Sequence, residues 1–200
     1  HTYIEIFTTQ NIEDSSMFLS TFNLNLPADI RALSIAETDR HFNIIQSEKI
    51  KEYHYYFAHG EKFHPYCAAF MCNIIAELNI PLMQKAAKLF EGKKDFYSYT
   101  FRPNPATNTV AEVLSCELVE NTELHASFFP EKSYLVKFRG EGFKRNQIRL
   151  MMGALLELGQ DKMTWDDFIR TLDGENKIKL SYVAPASGLH LFSSQLKPVE

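Results

Sequence analysis

Between Glu141 and Gly159 the chain reads EGFKRNQIRLMMGALLELG, which sets Lys144, Arg145 and Arg149 in a run otherwise apolar enough to be buried. Phe143, Ile148, Leu150, Met151, Met152, Leu155, Leu156 and Leu158 recur at helical spacing, and this predicts a helix from Phe143 to Leu158. Arg145 and Arg149 stand four residues apart and would share one of its faces. Such a face is either solvated or built to meet an anion. A guanidinium as enclosed as that of Arg149 calls for a carboxylate or a phosphate, because an unpaired buried charge is costly. No obvious acidic partner lies nearby in sequence.

A second candidate is Tyr53, in the segment KIKEYHYYF from Lys49 to Phe57. Polar and aromatic residues alternate there, which predicts a strand with Tyr53 and Tyr55 on the same side. Tyr53 is then either a core aromatic or a platform, its ring stacking on a base turned out of a nucleic acid and its hydroxyl free to hydrogen-bond. His41, His54, His59, His64 and His125 are scattered and read as surface or hydrogen-bonded residues rather than metal ligands. Cys67, Cys72 and Cys116 are odd in number and lack the short paired spacing of a zinc site, so they read as reduced thiols, Cys67 and Cys72 packing in a core. The chain has no nucleotide-binding glycine fingerprint, no GKS or GKT loop, no HExxH and no G-x-S-x-G.

Other elements must hold these residues in place. HTYIEIF alternates and predicts a strand; Asp14 or Ser15 opens a short helix with Met17, Phe18, Leu19 and Phe22, closed at Leu26-Pro27; ADIRALSIAE fits a strand only roughly. Pro65 to Glu77 and Leu82 to Phe90 read as helices, the second stopped by Gly92 and carrying Lys85 and Lys88 on a basic face. DFYSYTF is a short aromatic segment and RPNPATN a loop. VAEVLSCELVE and SYLVKFRGEGF are predicted to pair antiparallel, with the helix from Phe143 packed across them. MTWDDFIRTL carries a capping-box pattern in Thr164 and Asp167, and a last strand ends at GLHLF. The expected fold is α+β, an antiparallel sheet with helices packed on one face, in a single domain over residues 1–200.

A net charge of −4 over 200 residues argues against nucleic-acid binding by bulk electrostatics, so affinity for RNA would have to come from a local basic patch. No apolar run reaches the roughly 18 to 20 residues that span a bilayer, and the N-terminus lacks a signal-peptide layout. The expectation is a soluble, cytoplasmic protein with no membrane partner.

Gly142-Phe143, Ile148-Arg149, Gly153 and Leu158-Gly159 are similar to the C-terminal signature of TruA-type tRNA pseudouridine synthases. LNLPADIRAL, Phe42-Asn43, KEYHYYF, MQKAAKLFEGKKDFYSYTF and APASGLHLF also resemble motifs of that family, in its order and at its spacing. The resemblance implies a pseudouridine synthase-like fold and a cofactor-free isomerisation of uridine in tRNA, in the anticodon stem-loop, by a homodimer. It implies that Tyr53 lies under the target uracil and that Arg149 pairs with the nucleophilic aspartate. Lys144 and Arg145 would touch the RNA backbone.

The family's aspartate lies in an Arg-Thr-Asp-Ala-Gly-Val-His segment that would fall just ahead of His1-Thr2. The chain therefore reads as a C-terminal fragment of the catalytic unit, inactive alone. It also departs from the family at Asn43-Ile44-Ile45-Gln46 and Asn108-Thr109-Val110-Ala111, where basic residues are expected; Lys49 and Lys51 are candidates to compensate. These departures keep open a non-catalytic RNA-binding protein derived from the same fold. A protein-interaction domain whose Phe96, Tyr97 and Tyr99 fill a core is the third reading.

Overall fold

The computed structural model describes residues 1–197, in two compact units: Tyr3–Ser47, and His1–Thr2 with the chain from Glu48 onward. In the Tyr3–Ser47 unit, helix α1 spans Ser15–Asn25. Asp14 caps it by accepting from the amides of Ser16 and Met17, both at 2.9 Å. It ends at Leu26, which is extended because Pro27 follows. The expected strand in HTYIEIF does not form: Tyr3–Phe7 join no ladder, and Glu5 instead accepts from the Ile44 amide at 3.1 Å. ADIRALSIAE is not a strand either. The side-chain amide of Asn23 pairs with both backbone groups of Ala32, at 2.8 and 2.9 Å, and so takes the place of a neighbouring strand. Asn43 orders its own turn, accepting from Ile45 and Gln46.

The other unit is a six-stranded sheet with helices on one face, as expected of an α+β fold. β1 (Lys49–His59) is its centre. One edge pairs antiparallel with β5 (Tyr134–Gly140), which pairs with β4 (Val110–Glu120), which pairs with β3 (Gly92–Asp95). The other edge is shared. β6 (Leu189–Leu196) runs antiparallel along Lys49–Tyr55, and β2 (Cys72–Ile74) runs parallel along Phe57–His59. The β2 pairing makes the sheet mixed rather than wholly antiparallel. Between Pro65 and Glu77, where a helix was expected, a 3-10 turn over Pro65–Ala69 leads into β2. The open edge of β1 offers that segment a backbone partner, and such pairing overrides a weak helical pattern.

The alternation in β1 sorts its side chains as read from the sequence. Tyr53, Tyr55 and Phe57 face the main core, and Tyr56 and Ala58 face the other side. The main core is covered by α2 (Ile80–Lys88), α3 (Gln147–Gly159) and α4 (Trp165–Arg170). α2 is capped by Asn79, whose side chain accepts from the Leu82 amide at 3.1 Å. It stops at Lys88, so Gly92, at φ +94°, opens β3 rather than ending the helix. Nearly every α3 residue is buried, and each large apolar side chain so removed from water contributes roughly 1.5–3 kcal/mol. Phe96 and Tyr99 are also fully buried, while Tyr97 is half-buried. Thr164 caps α4, accepting from the Asp167 amide at 3.1 Å and donating to its carboxylate at 2.7 Å. All three cysteines are buried free thiols. Among the described residues, no helix is long and apolar enough to cross a membrane.

Candidate active site

The helix carrying Arg149 starts later than its apolar pattern predicts. α3 begins at Gln147, because Asn146 takes a left-handed conformation at φ +58° and breaks the helical run. Ahead of it, the Lys144 amide donates to Gln147 Oε1 at 2.8 Å and the Gln147 amide donates to the Lys144 carbonyl at 3.0 Å. This closed turn holds Lys144 and Arg145. Arg145 therefore shares no helix face with Arg149, and only Arg149 of the three cations lies on α3.

Phe143 aims this turn. Its ring meets Tyr53 edge-on, with centroids 5.6 Å apart and planes at 89°, and it also packs on Gly140 at the end of β5, where a Cβ would lie 3.1 Å from the ring. Tyr53 itself stands between Phe138 of β5 and Leu191 of β6. The β1–β6 register shifts between Glu52 and Tyr53, leaving Phe192 as the extra residue, a bulge of the kind that re-aims neighbouring side chains. Among the described residues, no hydrogen bond engages the Tyr53 hydroxyl. Partial burial raises its pKa, so it stays protonated and able to donate at neutral pH.

Arg149 is half-buried and makes no ion pair among the described residues. Its Nε donates to the Ala184 carbonyl at 2.7 Å and its Nη1 to Asn146 Oδ1 at 3.3 Å, while the Arg149 carbonyl accepts from the Ala184 amide at 3.0 Å. One edge of the guanidinium is thus fixed by neutral acceptors, and among the described residues its charge pairs with no carboxylate. Tyr55, two residues along β1 from Tyr53 and on the same side, donates its hydroxyl to the Pro185 carbonyl at 2.7 Å. Burial, chiefly, raises the Tyr55 pKa, while the Arg149 charge acts to lower it.

The sequence-derived residues are thereby joined in one chain of contacts. Tyr53 touches Phe143, the turn after Phe143 carries Lys144 and Arg145, and Asn146 at its end accepts from Arg149. Lys144 is half-buried, and Arg145 is exposed with its guanidinium 5.7 Å from the centre of the Phe101 ring. Sequence reasoning passed over Asn146 and Arg102, and it placed Tyr55 beside Tyr53 without giving it a role. An asparagine directly before an apolar run was a signal for Asn146. Arg102 shares the Phe101 ring at 5.1 Å, and no pattern in the sequence marked that approach. A cavity of about 370 Å³ lined by Asn73, Glu157, Lys162 and Tyr182 lies about 12 Å farther along α3, by the helical rise from Arg149 to Glu157. It belongs to the far end of that helix. Among the described residues, no group of three His, Cys, Asp or Glu side chains is placed to hold a metal ion.

Residues 86–195 match the family model described as tRNA pseudouridine synthase. The chain is 28% identical to the tRNA pseudouridine synthase A of Pseudothermotoga lettingae, over 92% of this chain and 71% of that protein. It is 30% identical to the tRNA pseudouridine synthase A 2 of Desulfotalea psychrophila, over 94% of this chain and 71% of the relative. Against the tRNA pseudouridine synthase A of Shouchella clausii the figures are 29%, 93% and 68%. The matched region contains the Gly142–Arg149 turn and helix, and the coverage by relatives takes in the Tyr53 strand, so the chain belongs to the tRNA pseudouridine synthase family.

Proposed function

We propose that this protein serves the isomerisation of uridine to pseudouridine in tRNA, with uridines of the anticodon stem-loop as targets. In this reaction the N1–C1′ glycosidic bond breaks and a C5–C1′ bond forms. C5 gives up its proton and N1 takes one, so the product is an isomer and no cofactor is consumed. The observation that carries the reading is the half-buried Arg149, oriented by two neutral acceptors and, among the described residues, in no ion pair.

In this role Arg149 pairs with the nucleophilic aspartate, holds it ionised and fixes its orientation, because an adjacent guanidinium lowers a carboxylate pKa. In this reading the aspartate is the one of the family's Arg-Thr-Asp-Ala-Gly-Val-His segment. Tyr53 offers its ring to the extruded base and its free hydroxyl to a hydrogen bond. Lys144 and Arg145 meet the RNA backbone; such contacts set affinity and register rather than sequence choice. The same reading makes the working form a cytoplasmic homodimer.

The test is tritium release from tRNA bearing 5-tritiated uridine, by the full gene product. Arg149→Ala should lower turnover by about 10²-fold or more, as expected for loss of a residue that positions a reacting group, while the loss of its bonds to Ala184 and Asn146 costs about 1–2 kcal/mol and leaves the protein folded at the assay temperature. Near-normal turnover would remove Arg149 from the site. Salt-dependent tRNA binding by the wild type without any turnover would instead favour a non-catalytic RNA-binding protein on the same fold.

A further inference from the structure

Two arginines from distant parts of the chain meet on one aromatic ring. The guanidinium of Arg102 lies 5.1 Å from the centre of the Phe101 ring, and that of Arg145 lies 5.7 Å from the same centre. Both arginines are exposed, and neither makes an ion pair among the described residues. Lys132 on the Tyr134 ring offers a contrast, because that cation is matched by Glu120 at 3.9 Å. Two exposed guanidiniums this close to one ring centre, neither ion-paired among the described residues, make a local positive field that suits an anion.

The backbone points the same way. Arg102 sits at φ +50°, a left-handed conformation that non-glycine residues seldom adopt, and Pro103 after it narrows its choices further. Strain of this kind persists where the surrounding structure holds it, and it gathers at ligand clamps. The backbone on either side of Arg145 is closed into a turn by the hydrogen bonds between Lys144 and Gln147. Phe101 packs against the main core and gives both cations a fixed seat.

We propose that Arg102 and Arg145, seated on Phe101, form a clamp for phosphate of the RNA backbone. This rests on the reading of the chain as a tRNA-binding protein and adds Arg102 and Phe101 to it. Arginine suits the task because its planar fork pairs with phosphate oxygens through two hydrogen bonds while its flat face stays on the ring. The clamp also supplies the local positive field that an overall charge of −4 does not.

The experiment is fluorescence anisotropy with labelled tRNA over a potassium chloride series, using the wild type, Arg102→Asn, Arg145→Gln, their double variant, Phe101→Leu, and Lys132→Gln as control. Each arginine variant should weaken binding about 3- to 10-fold near 0.1 M salt and lower the log–log salt slope by about 1, the double variant by about 2. Lys132→Gln should leave the slope alone. Phe101→Leu should keep the slope and lose affinity, because the charges remain but their seat is gone. Asparagine tolerates a positive φ, so Arg102→Asn should melt at or above the wild-type temperature while binding RNA less well. Wild-type binding with an unchanged slope in the double variant overturns the clamp, as does an Arg102→Asn variant whose affinity falls only in step with a lowered melting temperature. A wild type that fails to bind tRNA at low salt overturns the functional reading itself.

Discussion

Arg149 and Tyr55 grip consecutive carbonyls of the same segment: Arg149 Nε donates to Ala184 and the Tyr55 hydroxyl donates to Pro185, each at 2.7 Å. One grip comes from α3 and the other from the central strand, so the segment ahead of β6 ties the helix to the sheet. The orientation of Arg149 therefore depends on a tyrosine that need touch no substrate.

Tyr55→Phe removes one of these grips and leaves the Pro185 carbonyl without its partner. Urea denaturation should show a loss of about 1–2 kcal/mol, as for a buried hydrogen bond broken on one side. An unchanged midpoint would mean that Pro185 finds water or another donor.

Asn146 does two things, holding a left-handed backbone and accepting from Arg149, and two substitutions separate them. Asn146→Gly keeps the backbone free to adopt φ +58° and should melt near the wild type, yet lose Arg149-dependent turnover. Asn146→Ala should lose stability as well, by about 1 kcal/mol for the strained φ. Thermal melts combined with tritium release distinguish the outcomes.

Gly153 lies where α3 presses on the strap that Arg149 and Tyr55 hold. A methyl group there would overlap the Tyr182 carbonyl oxygen, which is backbone and cannot rotate away. Gly153→Ala should cost about 1–3 kcal/mol, the usual range for overpacking, measured as a shift in the denaturation midpoint. A neutral result would show that the strap moves freely.

Glu91 contributes to stability on the acid side. Its carboxylate accepts from the Cys116 amide at 2.9 Å and from Lys88 Nζ at 3.1 Å, and these bonds hold its pKa below the ordinary 4.5. With the folded pKa depressed, the stabilisation is fully present above about pH 4.5 and is lost as pH falls through the folded value. Glu91→Gln should cost about 1 kcal/mol at pH 7, discounted for its partial exposure, and the gap to the wild type should close on acidification. A gap constant from pH 7 to pH 3 would rule this out.

The strand from Lys49, the β4–β5 pair, a helix start at Asp14 or Ser15, the Thr164 cap and the second helix were legible because each rests on neighbours within a few residues. HTYIEIF was misread because alternation shows that a strand is possible without showing that a partner exists. Pro65–Glu77 was misread for the converse reason, since β2 exists only through the edge of β1. At the site, Arg149 and Tyr53 stood out by residue type and setting. Their surroundings did not: Asn146 reverses a backbone dihedral that apolar spacing cannot report, and this separates Arg145 from the helix.

The sequence by itself determined that the chain is α+β, that one face of the central strand carries Tyr53 and Tyr55, and that a guanidinium stands in an apolar helix. Those properties follow from side-chain period and composition. Only the tertiary structure decided what holds that guanidinium, because Ala184 lies 35 residues from Arg149 and Pro185 lies 130 from Tyr55. It likewise decided that Arg102 and Arg145 share a ring, since contacts between remote segments depend on how the whole core packs and leave no local pattern.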